Sequence, residues 1–465
     1  MDEARTLGEL RRVGYEVVPV REEMRRNLLA ALARGERMLS GIIGYDETVV
    51  PEIENAILSG HHIVFLGERG QAKSRIMRGL VGLLDERVPA IAGCEINDDP
   101  FRPICRACKR RIEQEGDAVP LVWIERAQRY GEKLATPDVS MADLIGEIDP
   151  IKVAEGRYLA DEETIHYGLV PRTHRGIFAI NELPDLTEKV QVGLFNLMEE
   201  RDVQIKGYKI RLPLDVVIVA SANPEDYTSR GRIITPLKDR FDVQIRTHYP
   251  LRIEDEVAIM EQEVAVGARA GRELRVPGFI KELIAQLTME ARASNEINQS
   301  SGVSVRVTIN NYESVLANAE KRAVRCGERE VVPRITDLHA VLASMAGKIE
   351  LEYAGEEKKE SDLIDRLLGR AVQKVFDRAV TLESLKRVIE YFEGGGGVEV
   401  SDRMPAVDYL EGVRGIPGLR EAIVALGPFE SPALVAAASE FLLEGLHVHQ
   451  KLNKDREGGR FTYRS

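Results

Sequence analysis

The chain has 465 residues, which is room for about three folding units, and its 64 Lys and Arg against 76 Asp and Glu give a net charge of −12. This balance excludes a nucleic-acid-binding protein that works through overall positive charge. Aromatic residues make up only 5% of the chain and cysteines number four, which excludes a base-stacking surface as the main function and a secreted disulfide scaffold.

The N-terminal region predicts a protein that begins with a helix and stays in the cytoplasm. The chain is charged from Asp2 onward, lacks the apolar core of a signal peptide and contains no apolar run long enough to span a membrane. We therefore expect no membrane partner and no nucleic-acid partner. Met24, Leu28 and Leu32 recur at four-residue spacing and predict an amphipathic helix in an N-terminal extension, residues 1–40.

Residues 41–250 alternate between short apolar runs and helical patterns. A run that is apolar throughout is typical of a strand buried on both faces of a parallel sheet. The pattern therefore predicts an α/β domain. The runs assigned to its parallel sheet are Ile63–Leu66, Leu121–Ile124, Ile177–Ile180, Val216–Ala220 and Val243–Ile245.

After Pro250 the strand signals stop and helical patterns follow. We expect a small helical domain over residues 251–351 and a mostly helical C-terminal region of unknown role over residues 352–465. The four successive glycines Gly394–Gly397 mark a joint within the latter. The polar last stretch, residues 451–465, is expected to fray or to dock only weakly.

A glycine-rich segment follows the first apolar run and precedes a helical pattern, the order of a P-loop. In such a loop, backbone N–H groups bind phosphate oxygens, Lys73 adds a positive charge, and Ser74 can ligate Mg²⁺. Ala72 replaces the last glycine of the motif, which is tolerable if it has helical φ and ψ angles. The alternative is a glycine-rich turn without function. The predicted phosphate-binding residues are Gly67, Glu68, Arg69, Gly70, Gln71, Ala72, Lys73 and Ser74.

The apolar run Ile177–Ile180 ends in Asn181 and Glu182, where a P-loop ATPase usually has two carboxylates. One of them holds Mg²⁺ through water, and the other polarises the attacking water. The neutral Asn181 can accept a hydrogen bond from a metal-bound water, so we expect weak Mg²⁺ binding or slow turnover, with Glu182 as the general base. The alternative is an ordinary cap at a strand end.

Asn223 follows another apolar run, Val216–Ala220. Ligands of α/β proteins collect at the carboxyl ends of parallel strands. We therefore expect Asn223 to orient the attacking water, with a simple Asn-Pro turn as the alternative.

With these motifs in order, residues 40–350 resemble an AAA+ ATPase, most closely the branch of the magnesium chelatase I subunit and MoxR. Residues 42–46 are similar to the adenine-side segment ahead of the P-loop, which implies that Ile43 contacts nucleotide. Residues 143–149 and 168–176 are similar to the helix-2 insert of this branch and to the approach to its catalytic strand.

The resemblance continues beyond the catalytic strand. Residues 203–212 resemble the branch's hairpin, and residues 236–242 match its LLDRF-type element, so that Arg240 is implied to be an arginine finger for a neighbouring subunit. The alternative for this residue is a local salt bridge to Asp239 or Asp242. Arg306 is implied to be the sensor-2 arginine, in a helical domain that serves as a lid.

The function implied by the resemblance is that of an ATP- and Mg²⁺-dependent motor. The resemblance implies a hexameric ring that remodels or activates a chelatase subunit or a partner with a von Willebrand factor A (VWA) domain. The alternative is a slowly hydrolysing, nucleotide-gated assembly switch or scaffold with a chaperone-like role, because Asn181 lacks a charge.

Three cysteines lie close together in sequence outside these motifs. Cys94, Cys105 and Cys108 include a C-x-x-C pair, which is typical of a zinc knuckle. A fourth ligand would have to be Glu95, Asp98, a distant histidine or Cys326. The alternative is a set of reduced, partly buried thiols.

Overall fold

The computed structural model describes residues 4–154, 162–200, 203–205, 208–210, 212–224, 232–265, 271–299, 302–351, 360–401, 403–457 and 460–465. The chain divides into two units, Met1–His248 and Tyr249–Ser465. In the described residues no helix is both long enough and apolar enough to cross a membrane.

The first unit alternates helices and strands along the chain. Its helices are α1 (Leu7–Arg12), α2 (Val20–Ala33), α3 (Val49–Leu58), α4 (Lys73–Gly79), α5 (Arg106–Glu115), α6 (Met141–Leu144), α7 (Pro150–Ala154), α8 (Leu169–Arg172), α9 (Glu188–Glu200) and α10 (Thr235–Arg240). Its strands are β1 (Ile63–Leu66), β2 (Arg87–Ile91), β3 (Leu121–Glu125), β4 (Tyr130–Leu134), β5 (Gly146–Ile148), β6 (Ile165–Tyr167), β7 (Gly176–Asn181), β8 (Val203–Ile205), β9 (Tyr208–Ile210), β10 (Val216–Ala222) and β11 (Val243–Arg246). Short 3₁₀ helices cover Leu80–Leu83, Gly116–Ala118, Arg126–Arg129, Glu162–Thr164 and Leu183–Asp185.

A five-stranded parallel sheet in the order β11-β1-β10-β7-β4 forms the centre of this unit. Every residue of β7 and β10 is buried, because both strands are apolar and have helices on both faces. The predicted α/β domain with a parallel sheet, followed by mostly helical regions, is therefore confirmed. Since all five strands run in one direction, their carboxyl ends lie at one edge of the sheet.

One predicted strand of this sheet is wrong. The run Leu121–Ile124 lies in β3, which pairs antiparallel with β2 in a separate two-stranded sheet. Val122 is 45% exposed there, so this run is not buried on both faces. The edge of the parallel sheet is instead β4, whose Gly131, Glu132 and Lys133 gave no apolar signal. The predicted hairpin is present, because β8 pairs antiparallel with β9.

The N-terminal extension packs on the first unit through α2. Met24 and Leu28 are buried in the core, as predicted, whereas Leu32 is 40% exposed near the end of the helix. Glu23 of the same helix accepts two hydrogen bonds from the buried guanidinium of Arg129, at 2.7 and 2.6 Å. A buried ion pair of this geometry fixes where the helix lies, since removing either partner would leave a charge uncompensated.

The second unit is mostly helical. Its helices are α11 (Ile253–Glu263), α12 (Gly278–Ala293), α13 (Val305–Arg325), α14 (Val341–Met345), α15 (Glu360–Ala379), α16 (Lys386–Glu393), α17 (Ala406–Val413), α18 (Leu419–Leu426) and α19 (Pro432–Val448), with 3₁₀ helices at Ile335–Ala340 and Leu382–Leu385. Its strands are β12 (Glu273–Leu274), β13 (Glu330–Val331), β14 (Gly397–Ser401), β15 (Asn453–Glu457) and β16 (Arg460–Arg464).

The helical domain and the C-terminal region share one hydrophobic core. Leu283 of α12, Leu367 of α15 and Leu442 of α19 are all fully buried in the same cluster. The expectation that residues 451–465 fray is wrong, because β15 and β16 pair with each other and β16 pairs with β14. Phe461 and Tyr463, which alternate along β16, point into the core and hold this end of the chain.

Candidate functional site

The predicted P-loop lies between β1 and α4 at the carboxyl edge of the parallel sheet. A Cβ atom at Gly67 would lie 1.9 Å from Thr247 Oγ1 and 2.2 Å from Gln71 Oε1, so only glycine fits at the start of the loop. Gln71 Oε1 accepts hydrogen bonds from Thr247 Oγ1 at 2.7 Å and from the backbone N–H of Glu68 at 3.0 Å. These contacts shape the loop before any ligand binds. Arg69 is exposed at its tip.

Alanine was expected to be tolerable at position 72 if it had helical φ and ψ angles, but Ala72 does not have them. It is the residue before α4, with φ 57° and ψ 12°, and Gly70 in the same loop also has a positive φ of 79°. A left-handed conformation costs an L-residue about 1–2 kcal/mol. The position therefore keeps the geometry of the motif's glycine, and the alanine is held there under strain.

Lys73 is buried beneath the loop, with an exposed fraction of 7%. Its Nζ donates hydrogen bonds to the carbonyl oxygens of Gly67 and Glu68, and to Asn223 Oδ1 at 2.7 Å. The buried ammonium is thus surrounded by oxygen acceptors at the edge where phosphate is expected, which fits the requirement of a phosphate-binding lysine.

A chain of polar contacts connects the P-loop helix to two strands of the sheet. Ser74 Oγ donates to Asn181 Oδ1 at 2.6 Å, and Asn181 Nδ2 donates to Glu132 Oε1 at 2.6 Å. Arg78 makes two hydrogen bonds to the Glu132 carboxylate, which together with Asn181 lower the pKa of Glu132. These hydroxyl, amide and carboxylate oxygens are the hard ligands that Mg²⁺ prefers.

Glu132 is a candidate site residue that the sequence did not reveal. It lies on the edge strand β4, in register with Ala179 of β7, and its carboxylate stands next to Asn181. The negative charge missing at position 181 is therefore present on the neighbouring strand. The sequence offers no signal for Glu132, because the strand β4 on which it lies has no apolar pattern that would predict it.

Asn223 and Glu182 meet at the ends of β10 and β7, as the sequence predicted for parallel strands. Asn223 Nδ2 donates to Glu182 Oε2 at 2.7 Å. Glu182 has a left-handed backbone with φ 56°, and its N–H donates to Ser221 Oγ at 3.2 Å. Such strained backbone conformations concentrate at functional sites. Because Asn223 also contacts Lys73, the expected base and the phosphate lysine belong to one network.

The segment expected to contact the adenine lies against the P-loop. Tyr45 donates its hydroxyl proton toward the carbonyl oxygens of Gln71 at 3.0 Å and His248 at 2.6 Å, and burial raises the pKa of this phenol. Ile43, two residues earlier, is half-buried. The segment expected on the adenine side therefore packs against the loop that is expected to bind phosphate.

Arg240 is the last residue of α10, and its ion-pair partner is not one of the two acids that the sequence suggested. Its Nε lies 2.7 Å from Glu199 Oε2 on α9, rather than pairing with Asp239 or Asp242, and its guanidinium lies over the Phe195 ring. Both side chains of the ion pair are more than a third exposed. An exposed pair of this kind contributes little stability, so the guanidinium can exchange partners at low cost.

Arg306 lies in the second unit, in the first turn of α13. Ser304 caps this helix by accepting a hydrogen bond from the Arg306 N–H at 3.2 Å. The Arg306 side chain is exposed on its own unit.

The three cysteines of the predicted zinc knuckle converge with a fourth residue. Ligand atoms of Cys94, Asp98, Cys105 and Cys108 all lie within 4.8 Å of one another. The structure selects Asp98 from the fourth ligands that the sequence left open.

No family model matches the chain, but individual proteins do. It is 25% identical over 295 residues to the magnesium-chelatase 38 kDa subunit of Acidiphilium rubrum, covering 61% of this chain and 76% of that protein. It is 28% identical over 229 residues to the magnesium-chelatase subunit ChlI of Nostoc sp., covering 48% of this chain and 57% of that protein. The chain therefore spans little more than half of the Nostoc subunit.

A solved complex of the BchI and BchD subunits of magnesium chelatase is 18% identical to the chain, with a TM-score of 0.36, and covers 71% of this chain and 98% of that one. The sequence relatives confirm the resemblance to the magnesium chelatase I branch of AAA+ ATPases, and they support ATPase activity.

Proposed function

From this relationship to magnesium-chelatase I subunits, we propose that the chain binds Mg-ATP at residues 67–74 and hydrolyses it to remodel or activate a partner protein. The observation that carries the proposal is the hydrogen-bonded chain from Lys73 through Asn223 to Glu182. It joins a phosphate-binding cation, a polar side chain and a carboxylate at one edge of the sheet, which is the set of groups that phosphoryl transfer to water requires.

Each of these residues has a distinct task in hydrolysis. Glu182 accepts a proton from the attacking water, whose oxygen forms the new bond to the γ-phosphorus as the bond to the β–γ bridging oxygen breaks. Asn223 orients that water and holds the Glu182 carboxylate through its amide. Lys73 stabilises the negative charge on the phosphate oxygens.

Ser74, Asn181 and Glu132 are the proposed residues around Mg²⁺. Bound Mg²⁺ would neutralise negative charge on the nucleotide phosphates. Ser74 offers its hydroxyl oxygen, and Asn181 offers its amide oxygen. Glu132 supplies the negative charge. Its Oε1 accepts a hydrogen bond from Asn181 Nδ2 at 2.6 Å, so the carboxylate lies next to the proposed Mg²⁺ ligands.

A ring is the proposed working form, with six copies as in the branch it resembles. Arg240 would then leave Glu199 and reach the γ-phosphate held by the neighbouring copy, while Arg306 would act from the helical lid. Charge that develops on the γ-phosphate would be stabilised only in the assembled ring. Hydrolysis per chain should therefore rise with chain concentration.

The proposed partner is a second type of subunit, since the relatives are named as subunits of magnesium chelatase. A large chelatase subunit and a VWA-domain protein are the two candidates, in the cytoplasm. Phosphate release should be measured over a range of chain concentrations, with and without each candidate partner. A rate per chain that is zero at every concentration and with either partner would overturn the proposal.

A second candidate function follows from Asn181. Because the amide carries no charge and Arg78 already pairs with Glu132, turnover could be too slow for a motor. The chain would then be a nucleotide-gated assembly switch or scaffold with a chaperone-like role. ATP that assembles the ring but is released unhydrolysed would favour this function over the motor.

A further inference from the structure

A buried cluster of thiols lies outside the nucleotide site. It consists of Cys94, Asp98, Cys105 and Cys108, and its three Sγ atoms and one carboxylate oxygen lie within 4.8 Å of one another. Asp98 is completely buried, and Cys105 and Cys108 are 6% and 4% exposed. Ligand atoms around a tetrahedral zinc lie about 3.8 Å apart, given Zn–S bonds of about 2.3 Å. The cluster thus needs only small side-chain shifts to surround a metal.

The local backbone already holds these side chains toward a common point. Cys105 caps the N-terminus of α5, and its Sγ accepts a hydrogen bond from the Cys108 N–H at 3.4 Å. Cys94 Sγ accepts one from the Asp98 N–H, also at 3.4 Å. Backbone N–H groups that point at sulfur favour the thiolate, which is the form that binds a metal.

We propose that Cys94, Asp98, Cys105 and Cys108 bind one Zn²⁺ in a closed structural site. Thiolates select soft or borderline metals and exclude Mg²⁺ and Ca²⁺. Four protein ligands fill a tetrahedral shell and leave no position for substrate, so the site has a structural rather than a catalytic role.

The surroundings of the cluster support this assignment. Asp98 is completely buried, and its carboxylate lies beside the three sulfur atoms. A buried carboxylate in a protein is normally paired with a cation or coordinates a metal. The two basic side chains that line the same pocket, Arg111 and Lys152, form ion pairs with Glu115 and Glu95.

The proposed zinc would stabilise the segment that follows β2. Residues 92–105 contain neither helix nor strand, yet they carry three of the four ligands and run into α5. Asp98 is already fixed by accepting hydrogen bonds from the N–H groups of Ile104 and Cys105. A metal at this point would tie the loop to the helix in the way that disulfides and metals stabilise segments without a core of their own.

Metal analysis of the full-length, tag-free chain after dialysis tests the proposal. We expect a zinc-to-chain ratio near one, and a ratio near zero for Cys105→Ser combined with Cys108→Ser. Asp98→Asn should weaken zinc binding by more than about tenfold, the loss that even outer-shell changes can cause. Cys326→Ser should keep the full ratio, because Cys326 lies outside the cluster. Purified wild-type protein with less than a tenth of one zinc, or with iron in its place, would overturn the proposal.

A second measurement uses only the folded wild-type chain, in case the variants do not fold. Co²⁺ added to metal-depleted protein should give the visible absorption of a tetrahedral ion and a thiolate-to-metal charge-transfer band. Zinc should protect three of the four cysteines from a thiol reagent and leave Cys326 reactive. Four thiols that react alike with and without zinc, or a disulfide within the cluster, would contradict the site.

Discussion

The side-chain amide of Asn223 donates a hydrogen bond to the Glu182 carboxylate at 2.7 Å, while its oxygen accepts one from Lys73 at the same distance. Asn223 therefore cannot rotate its amide without losing both partners. The residue fixes which way its N–H group points at the end of β10. A change in the position of Lys73 should therefore alter the hydrogen bond that Asn223 donates to the Glu182 carboxylate, the proposed base.

Moving one carboxylate between neighbouring strands tests the proposed role of Glu132. Glu132→Gln should raise the Mg²⁺ concentration needed for half-maximal phosphate release by about tenfold, because the anionic ligand charge is lost. Adding Asn181→Asp to this variant should restore the requirement, since the carboxylate then stands where the usual motif has it. The measurement is phosphate release during a Mg²⁺ titration.

The matched control for this exchange is Arg78→Gln. It removes the ion pair with Glu132 but leaves the carboxylate in place. If Arg78→Gln raises the Mg²⁺ requirement as much as Glu132→Gln does, the effect comes from the ion pair and the proposed charge role is wrong.

Ala72→Gly should stabilise the first unit. The left-handed φ of 57° strains alanine and not glycine, so we expect the free energy of unfolding to rise by about 1 kcal/mol. Ala30→Gly is the matched control, because Ala30 is exposed in the interior of α2 and should lose about 1 kcal/mol. Urea unfolding of both variants gives the comparison. Equal losses at the two positions would show that Ala72 is not strained.

Mixing two inactive variants tests the arginine finger. Arg240→Ala should bind ATP but lose hydrolysis by at least about 10³-fold. Adding Lys73→Ala chains should restore part of the rate, because each supplies an intact Arg240 to a neighbour with an intact Lys73. Phosphate release by the single variants and the mixture is the readout.

Glu199→Gln separates this role from that of the observed ion pair. The variant frees Arg240 without removing it and should keep hydrolysis close to wild type. Loss of hydrolysis in Glu199→Gln equal to that in Arg240→Ala would indicate that the pair, rather than a finger, is what the site needs.

His174 should make stability fall in mild acid. Burial and the nearby Arg175 lower the pKa of His174 to about 3, and its Nδ1 accepts a hydrogen bond from the Asp215 N–H at 3.0 Å. The unfolded imidazole takes up a proton below about pH 6.5 while the folded one stays neutral, so stability is full above that value and is lost as pH falls toward 3.

From about pH 7 to about pH 5, this histidine should account for about 2 kcal/mol of lost stability. Urea unfolding at both pH values should show a smaller loss for His174→Gln, whose side chain can still accept a hydrogen bond but does not titrate. A loss as large in His174→Gln as in the wild type would contradict the assignment.

The sequence predicts those parts of the fold whose signal is local. The strands β1, β7, β10 and β11 are apolar runs, and their polar ends give Asn181, Glu182 and Asn223 by position alone. The strand β4 was missed because Gly131, Glu132 and Lys133 carry no β pattern, and it is held by pairing with β7. Glu132 lies on this strand, so the sequence did not predict it as a site residue.

Other features depend on contacts between distant residues. The left-handed angle of Ala72 follows from how the loop meets α4, and the sequence shows only that a glycine is missing. Asp98 joins Cys94, Cys105 and Cys108 through turns of a segment without helix or strand, which the spacing of the residues does not specify. The partner of Arg240 on α9 is also set by tertiary packing, so the sequence could offer only its nearest acids.

The most direct test of the proposed activity compares ATP binding and hydrolysis in the wild type, Lys73→Ala and Glu182→Gln. The wild type should bind ATP in the presence of Mg²⁺ and release phosphate. Glu182→Gln should bind ATP as tightly but release phosphate about 10²–10⁴-fold more slowly, and Lys73→Ala should lose binding. Hydrolysis by Glu182→Gln at the wild-type rate, or ATP binding unaffected in Lys73→Ala, would contradict the assignment of this edge of the sheet as the ATPase site.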